Sequence, residues 1–554
     1  MQLRKTNLER LGTRVFDVLV LGGGINGAVS AAALSARGAT VALIDRGDFA
    51  GVTSQHSSNL AWGGIKYLES FEFGLVAKLC KARNELLRAY PSTVQEIRFF
   101  TSITRGFRHG LWKLLAGAWL YWVIGRFFTR RPKLLSLGDI AREEPIIRRD
   151  ALSGGFEYSD AFLHDNDARF VWGFIRSAMD RGCIAANYVE SMGARREGGL
   201  WLVDAIDKES GRRFQIRARC FVNAGGPYAD EHNGRTGQQT KTRHVFSKGI
   251  HIIVDRLTPH RRVLTFFADD GRLFFVIPMG PKTCIGTTDT RVDKPEVHVT
   301  PEDRKFVLDN INKRLALSKP ITDADVVAER CGVRPLAVSA AGSGERDWLQ
   351  LSRKHVVELN AADAHLTIFG GKLTDCLNVG DEICAAIERL GVPLPHRTQR
   401  WYGEPPDAMR DEYFHQAALM GLDAMTSDHS HEKLSTRLWR RYGSSALAML
   451  DAIRRDPQQG ELLIEPAEYI RAEIEETARR EMIVKLDDFL RRRSKIAQVV
   501  RADEIRAAPG LKEACRIFFG ERAEEKFDEY FNDHGRTGAA VADPVSARVA
   551  GIKS

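Results

Sequence analysis

A glycine-rich turn between an apolar strand and a helix of small residues most constrains the fold of this 554-residue chain. Residues 16–21 read as a buried strand, and residues 22–27 follow it directly with the spacing GxGxxG. We predict a helix over residues 26–37 and a second strand over residues 40–44. These elements together predict the opening of a βαβ unit that binds a dinucleotide.

Each residue type in this turn suits contact with a pyrophosphate. Gly22 permits the tight turn, Gly24 lets the backbone approach the phosphates, and Gly27 allows close packing of helix on strand. The N–H groups that open the helix favour negative charge, and Asp45 at the end of the second strand suits ribose hydroxyls. The alternative is an ordinary glycine turn with Asp45 as a surface residue. The predicted contacts of this unit are Gly22, Gly24, Ile25, Asn26, Gly27 and Asp45.

The rest of the chain predicts an α/β fold in which the nucleotide-binding domain is discontinuous. With 44% hydrophobic and 28% charged residues the chain is typical of globular proteins. Residues 156–223 continue the α/β pattern, residues 246–296 are a series of strands, and charged helices cover residues 408–530. The predicted division is a Rossmann-like nucleotide-binding domain in three parts (1–95, 156–245 and 326–395), a substrate and membrane-facing segment (96–155), sheet-rich substrate-domain strands (246–325), a C-terminal helical cap (396–534) and a flexible tail (535–554).

Charge and cysteine content argue against several other classes. The 81 basic and 72 acidic residues leave a net charge of +9, which permits an anionic substrate or membrane surface and does not by itself indicate nucleic acid. The arginines at 479–480 and 491–493 alternate with apolar residues and lie near Asp487 and Asp488, so we expect a solvated cap helix and no nucleic-acid partner. The eight cysteines form no CxxC pair, and no ligand spacing predicts a metal.

A run of motifs in a fixed order carries a specific family resemblance. Residues 48–69 read DFAGVTSQHSSNLAWGGIKYLE, and NAGGP (223–227), KGIH (248–251), GTTD (286–289), GVRPL (332–336) and FGGKLT (369–374) follow. In this order they resemble the FAD-dependent glycerol-3-phosphate dehydrogenases and the related glycerophosphate oxidases. Residues 441–444 and 486–490 resemble the C-terminal cap of the same family. The resemblance therefore extends along most of the chain.

The resemblance implies a flavoenzyme with FAD as its cofactor. It implies hydride transfer from C2 of sn-glycerol 3-phosphate to flavin N5, which gives dihydroxyacetone phosphate, and then electron transfer to a membrane quinone, or to oxygen in the oxidases. It also implies a homodimer that is cytoplasmic and peripherally associated with the inner face of the cytoplasmic membrane. Beyond the glycine turn, the expected FAD contacts are Thr53, Ser54, Ser58, Asn59, Leu60, Gly63, Gly64, Val189, Ala224, Gly225, Gly371, Lys372, Leu373 and Thr374.

Three residues are predicted to carry the chemistry. His251, which matches the histidine of KGxH, is the candidate base for the hydroxyl proton, because an imidazole with a near-neutral pKa suits that task. Arg334 offers a guanidinium for the phosphate or a developing alkoxide, and Lys372 places its charge near the flavin or the substrate. The structural alternatives are a hydrogen-bonding core histidine and an arginine in an ion pair. The predicted substrate contacts are Lys66, Tyr67, Thr288 and Arg353.

Two departures from the family pattern concern the substrate. Lys66 stands where the family has arginine, and Trp62 stands where it usually has histidine. Lysine keeps the charge but loses the bidentate fork, and tryptophan is a donor-only ring. Glycerol 3-phosphate is the leading substrate, and another phosphorylated alcohol or 2-hydroxy acid is the alternative. A flavin-binding protein without turnover is a third interpretation, which the presence of His251, Arg334 and Lys372 disfavours.

The segment from Leu111 to Phe128 predicts contact with a membrane surface. Its uninterrupted apolar core, residues 114–125, is too short to span a bilayer, which needs about 20 apolar residues. Three tryptophans and flanking basic residues are typical of an interfacial helix, which would give a membrane quinone access to the flavin. The alternative is a helix buried in the substrate domain. The N-terminal residues show no apolar stretch of a signal peptide.

Overall fold

The computed structural model of the protein describes residues 2–269, 271–340, 354–428 and 430–535. Its strands, numbered in chain order, are β1 Val15–Leu21, β2 Val41–Ile44, β3 Leu60–Ala61, β4 Val94–Thr104, β5 Lys133–Leu135, β6 Leu152–Leu163, β7 Ile184–Ala186, β8 Val189–Glu197, β9 Leu200–Asp207, β10 Arg213–Asn223, β11 Thr242–Asp255, β12 Arg262–Phe267, β13 Leu273–Met279, β14 Lys282–Gly286, β15 Thr290–Val292, β16 Ala328–Ser339, β17 Val356–Asn360, β18 His365–Phe369, β19 Leu462–Ile464 and β20 Tyr469–Ile470. Its α-helices are α1 Gln2–Thr13, α2 Ile25–Ala36, α3 Phe73–Ala89, α4 Leu111–Ile124, α5 Leu137–Glu143, α6 Asp167–Asp180, α7 Ala229–Arg235, α8 Pro301–Arg314, α9 Cys376–Arg389, α10 Asp407–Leu419, α11 Leu434–Tyr442, α12 Ser445–Arg455, α13 Arg471–Arg480, α14 Ile496–Val499, α15 Ala502–Ala507, α16 Pro509–Phe519 and α17 Ala523–Gly535.

The first sheet carries the glycine-rich turn at the ends of its parallel strands. Its strand order is β17-β18-β10-β1-β2-β7, and β8 and β9 extend it as antiparallel strands beside β10. Leu21 at the end of β1 is in register with Ile44 of β2 and with Asn223 of β10. The strands are apolar because α2, α6 and α9 cover one face while α1, β8 and β9 cover the other. The carboxyl ends of β1 and β10 therefore meet at the edge where such sheets bind ligands.

The second sheet is mostly antiparallel and carries the predicted base. Its strand order is β15-β11-β14-β13-β12-β4-β6-β3, with β16 beside β11 and β5 beside β6. His251 on β11 is in register with Gly286 on β14 and with Arg330 on β16. Strand pairing therefore brings the motifs KGIH, GTTD and GVRPL, which are distant in sequence, onto neighbouring strands.

The predicted α/β class is confirmed. Two of the predicted domain ranges do not follow the division of the strands between the two sheets. Helix α2 covers Ile25–Ala36 instead of 26–37, and Gly38 beyond it has a φ of +96°. Strands β6 and β16 pair within the second sheet, although the predicted ranges 156–245 and 326–395 place most of their residues in the nucleotide-binding domain. A local apolar pattern indicates a strand, but the partner of that strand is decided by distant segments. Residues 536–554 of the predicted tail lie outside the described residues.

The C-terminal region holds a buried ion-pair network where a solvated helix was expected. A π-helix over Asp488–Arg493 presents Arg492 and Arg493, which are 5% and 2% exposed. Arg492 Nε donates to Asp48 Oδ2 at 2.6 Å, and the terminal nitrogens of Arg493 donate to both oxygens of Asp48 at 2.7 and 2.9 Å. The prediction of solvation is wrong at these arginines, because Asp48, near the opposite end of the chain, compensates both and Asp488 also pairs with Arg492.

Asp48→Ala removes the carboxylate that Arg492 and Arg493 share, while Arg492 keeps its pair with Asp488. We expect the free energy of unfolding to fall by about 3–5 kcal/mol, as when a buried pair loses one partner. The control Asp451→Ala removes the exposed partner of Arg454 and is expected to cost less than about 1 kcal/mol. Urea unfolding at neutral pH compares the variants, and equal losses would contradict a buried network at Asp48.

The same network predicts a pH dependence of stability. Burial alone would raise the pKa of Asp48, but the guanidiniums of Arg493 and Arg492 hold the pKa of this carboxyl below its ordinary value. A group with a lowered folded pKa stabilises the protein above its unfolded pKa, and that stability disappears as the pH falls through the folded pKa. The difference between wild type and Asp48→Ala should therefore shrink on acidification.

Candidate functional site

The turn over residues 22–27, which we call the glycine cradle, follows β1 directly. Gly22 has a φ of +99°, and a side chain there would press on the carbonyl of Ala224 at the end of β10. A side chain at Gly27 would collide with the carbonyl oxygen of Gly22. The N–H of Ile25, at the start of α2, donates to Ser54 Oγ at 3.0 Å. Other predicted contacts at this cradle are Gly24, Asn26, Gly225 and Gly371.

Asp45 supports the glycine turn from the neighbouring strand. Its carboxylate accepts the N–H of Gly23 at 2.6 Å and the N–H of Gly47 at 2.8 Å. Burial raises the pKa of this carboxyl to about 6, although the two N–H donors act in the opposite direction. The carbonyl of Asp45 accepts the N–H of Val189 at 2.7 Å, which places these two predicted contacts side by side. Asp45 therefore holds the turn, and its binding to a ribose stays a prediction.

The segment after β2 crosses from the first sheet to the second and reaches the predicted base. Thr53 Oγ1 donates to the carbonyl of Val333 on β16 at 2.8 Å. Ser58 Oγ lies 2.9 Å from His251 Nε2, and Leu60 pairs with β6. The predicted FAD contacts of this segment therefore lie between the glycine cradle and His251.

His251 is buried, and one of its ring nitrogens lacks a protein partner. Burial, followed by the charges of Arg330 and Arg334, holds the pKa of His251 well below its ordinary value, so the ring is neutral at neutral pH. Nε2 contacts Ser58, whereas Nδ1 is buried and has no hydrogen-bond partner among the residues that the structure describes. Buried polar atoms are costly to leave unpaired, so this nitrogen points to a ligand.

Arg334 on β16 lies against the strand of His251. Its Nη2 donates to Thr287 Oγ1 at 2.8 Å, and its Nη1 donates to the carbonyl of Thr288 at 3.2 Å. A side chain at Gly249 of β11 would displace the guanidinium from its present position. The Thr288 hydroxyl is buried and accepts the N–H of Ile250 at 3.0 Å. Thr288 therefore links two strands, and its contact with substrate stays a prediction.

The turn around Lys372 packs on the turn around Tyr67. Lys372 Nζ lies 4.1 Å from the centre of the Tyr67 ring. Thr374 Oγ1 donates to the carbonyl of Trp62 at 3.2 Å. Lys66, next to the buried Tyr67, is exposed. The structure thus joins the motifs GGIKYLE and FGGKLT, and the predicted contacts Gly63, Gly64 and Leu373 lie within these two turns.

Arg330 is a buried residue of this region that sequence analysis missed. It is in register with His251 and donates to the carbonyl of Ser57 at 2.6 Å and to Asn59 Oδ1 at 3.0 Å. Asn59 itself adopts a φ of +57°. Residues four apart on a strand share a face, so the spacing of Arg330 and Arg334 is the signal that could have found it.

Helix α4 exposes an apolar face. Its inner residues Leu115, Ala118 and Tyr121 are buried, whereas Trp112 and Trp119 are 70% and 40% exposed. Exposed apolar residues that continue this surface are Leu120, Val123, Phe127 and Phe128. The helix is therefore apolar on both its buried and its exposed face, and it is only partly buried. Within the described ranges, no helix combines the length and apolar character needed to cross a bilayer.

One predicted substrate contact and the question of a metal site remain. Arg353 lies in the range 341–353, outside the described residues. Among the residues that are described, no group of three or more His, Cys, Asp or Glu side chains could hold a metal ion.

Comparisons with known proteins identify the class. A family profile described as FAD dependent oxidoreductase matches residues 17–353, and one described as the C-terminal domain of alpha-glycerophosphate oxidase matches residues 401–518. The chain is 31% identical over 509 residues to glycerol-3-phosphate dehydrogenase 2 of Mycobacterium tuberculosis, covering 88% of this chain and 82% of that protein. It is 29% identical over 492 residues to the aerobic glycerol-3-phosphate dehydrogenase of Staphylococcus aureus, covering 86% of each.

A solved structure shows the same fold. The glycerol-3-phosphate dehydrogenase of Bacillus halodurans complexed with FAD matches with a TM-score of 0.73 and 24% identity over 96% of each chain. The fold and the profile match define the class as flavoprotein oxidoreductases with FAD as cofactor. Within that class the chain belongs to the glycerol-3-phosphate dehydrogenase family.

The residues present fit FAD. The glycine cradle leaves no room for side chains, so a pyrophosphate could approach the backbone at the start of α2, where the N–H of Ile25 already donates to Ser54. The segment 53–60 leads from the glycine cradle to His251, which contacts Ser58 through Nε2. Its Nδ1 has no hydrogen-bond partner among the described residues. We therefore assign the pyrophosphate to the cradle and the ring system to the region between His251 and the turn of Lys372, as expectations from this geometry.

Gly27→Ala tests the cradle. Its new methyl group would collide with the carbonyl oxygen of Gly22 and force α2 away from the turn, so we expect FAD affinity to fall by more than about tenfold, or 1.4 kcal/mol. The control Gly173→Ala lies within α6, where a Cβ has no neighbour within 4 Å. Flavin content and the FAD dissociation constant of refolded apoprotein provide the measurement; unchanged affinity in Gly27→Ala would refute this assignment.

Proposed function

We propose that the protein oxidises sn-glycerol 3-phosphate to dihydroxyacetone phosphate with FAD and passes the electrons to a membrane quinone. The observation that carries the proposal is that Arg334 and His251 lie on paired strands, at the end of the segment that leads from the glycine cradle. The imidazole of His251 is neutral, and its Nδ1 has no hydrogen-bond partner among the described residues. The names of the relatives support the same substrate. The alternative is a related enzyme for another phosphorylated alcohol or 2-hydroxy acid, and the departures at Lys66 and Trp62 are its basis.

The chemistry divides among the side chains described above. His251 is neutral at neutral pH, so its unpaired Nδ1 accepts the proton of the C2 hydroxyl. Arg334 and Lys372 bring positive charge to the phosphate or to the oxygen that loses its proton. Lys66 and Tyr67 flank the turn of Lys372 and complete the substrate contacts. When bound, FAD supplies the two-electron acceptor for the hydride from C2.

The exposed face of α4 supports a membrane-bound acceptor. Trp112 and Trp119 are exposed on the same helix as Lys113, and the exposed residues Arg130 and Arg131 follow it. Aromatic and basic residues together suit the interface of an anionic bilayer, where tryptophan rings lie at headgroup depth. We therefore infer a peripheral association through α4 that places the enzyme beside its quinone.

Anaerobic mixing of the yellow protein with sn-glycerol 3-phosphate tests the substrate. We expect the absorbance of oxidised flavin to bleach, because a bound two-electron acceptor is reduced when the substrate is oxidised. His251→Ala should slow this bleaching by about a hundredfold or more, the usual size of general-base catalysis, while FAD content is kept. The control His232→Ala removes a buried histidine that contacts Ser191 and should leave the rate unchanged.

The outcomes separate the alternatives. Bleaching by dithionite but not by glycerol 3-phosphate would reject this substrate and direct the search to other 2-hydroxy compounds. Parallel loss of FAD and of rate in His251→Ala would make the histidine structural. In the wild type the rate should be constant near neutral pH and fall as the pH drops through the lowered pKa of His251, because protonation removes the base.

The membrane inference is tested on the exposed face of α4. Replacing Trp112, Trp119 and Val123 by serine removes apolar area that would enter the headgroup region, so co-sedimentation with vesicles of anionic phospholipid should fall by about tenfold or more. The control Leu419→Ser changes a residue of α10 that is also exposed. Unchanged sedimentation of the triple variant would refute the interfacial role of α4.

A further inference from the structure

A buried carboxylate that no motif includes holds the turn carrying Lys66 and Tyr67. Asp160 lies on β6 and is fully buried, and its Oδ1 accepts the N–H of Gly63 at 3.0 Å. Gly64 follows with a φ of +82°, and the short 3₁₀ helix Ile65–Leu68 begins there. Asp160 therefore fixes the Gly63 peptide at the point where this turn leaves β3.

Two further buried side chains hold Asp160. Arg83 on α3 donates from Nη1 to Asp160 Oδ1 at 3.1 Å and to the hydroxyl oxygen of Tyr121 at 3.1 Å. The Tyr121 hydroxyl on α4 donates to Asp160 Oδ2 at 2.8 Å. Each carboxylate oxygen thus has a donor from a different helix, and the geometry is fixed by three elements that pack on one another.

The same network restricts the turn sterically. A side chain at Gly63 would collide with the hydroxyl of Tyr121. Asn84 accepts from Arg83 at 2.8 Å and donates to the carbonyl of Gly125 at 2.9 Å, which ties the end of α4 to α3. The Gly63 peptide therefore has a single position that satisfies both its hydrogen bond and the surrounding packing.

We propose that Asp160, held by Arg83 and Tyr121, is a positioning residue that sets the place of Lys66 and Tyr67 relative to Lys372. The inference rests on the proposed function, in which these residues contact the substrate. The Tyr67 ring lies against the ammonium group of Lys372, so a shift of the Gly63 turn would change the position of Tyr67 and its contact with Lys372. Asp160 itself touches neither substrate nor cofactor in this account and acts through the turn.

Tyr121→Phe tests the proposal with little change in volume. It removes the hydroxyl from Asp160 and Arg83, so we expect KM for glycerol 3-phosphate to rise about tenfold, with kcat changed less than about twofold, the size of one buried charge-assisted hydrogen bond. The control Tyr413→Phe removes a buried tyrosine hydroxyl that donates to the carbonyl of Ser435 at 2.9 Å in the C-terminal helices. It should lower stability comparably and leave KM unchanged. Equal KM values in the two variants would overturn the proposal.

A second variant separates positioning from stability. Arg83→Met with Asp160→Leu replaces the buried pair by apolar side chains of similar volume, so no single charge is left and the acceptor of the Gly63 N–H is removed. We expect its thermal midpoint near that of Tyr121→Phe and its KM raised further; a KM equal to that of wild type would refute the role of Asp160.

The visible spectrum of oxidised flavin provides a readout that does not depend on the substrate. If glycerol 3-phosphate fails to bleach the wild type, the proposed function fails, but the inference is still decided by the spectrum. A changed flavin band in Tyr121→Phe and an unchanged band in Tyr413→Phe would support positioning of the turn, because only the former lies beside Gly63. Identical spectra in both variants would overturn it.

Discussion

The segment between β2 and α3 has to cross from one sheet to the other, and its hydrogen bonds decide where the site lies. Ser54 accepts from the start of α2, Thr53 donates to β16, and Ser58 reaches His251 on β11. The two sheets supply different functions, since one presents backbone N–H groups and the other presents charged side chains. A chain that bridges them through short polar residues can hold an extended cofactor against both.

Buried charge is the second constraint, and it is balanced differently in different places. Asp48 forms buried ion pairs with Arg492 and Arg493, and these pairs join the segment after β2 to the C-terminal region. Around His251, burial and the guanidiniums of Arg330 and Arg334 lower the pKa of the imidazole and keep it neutral. Each guanidinium also has a carboxylate partner, Asp167 for Arg330 at 4.0 Å and Asp289 for Arg334 at 3.4 Å. A neutral base beside two guanidiniums suits a substrate that must lose a proton.

The buried charged residues that local sequence patterns do not reveal share one physical origin, which is that their partners lie far away in the chain. Arg492 and Arg493 lie in a charged segment of a kind that solvated helices also show, and their burial depends on Asp48 and, for Arg492, also on Asp488. Asp160 and Arg83 lie in segments without a recognisable motif and meet only because β6, α3 and α4 pack together. A local sequence pattern predicts the secondary structure of a segment, whereas the burial and the ion pairs of its side chains depend on the segments that pack against it.

The sequence by itself determined the βαβ opening, the α/β class and the family, because each rests on residue types at short fixed spacings such as GxGxxG and GVRPL. It also placed His251 and Arg334 among the candidates. Only the tertiary structure decided that β6 and β16 join the second sheet and that α4 exposes one apolar face. It also decided that His251 Nδ1 lies beside two guanidiniums without a hydrogen-bond partner among the residues described. The physical reason is that desolvation, strand pairing and exposure are set by contacts between residues far apart in the chain.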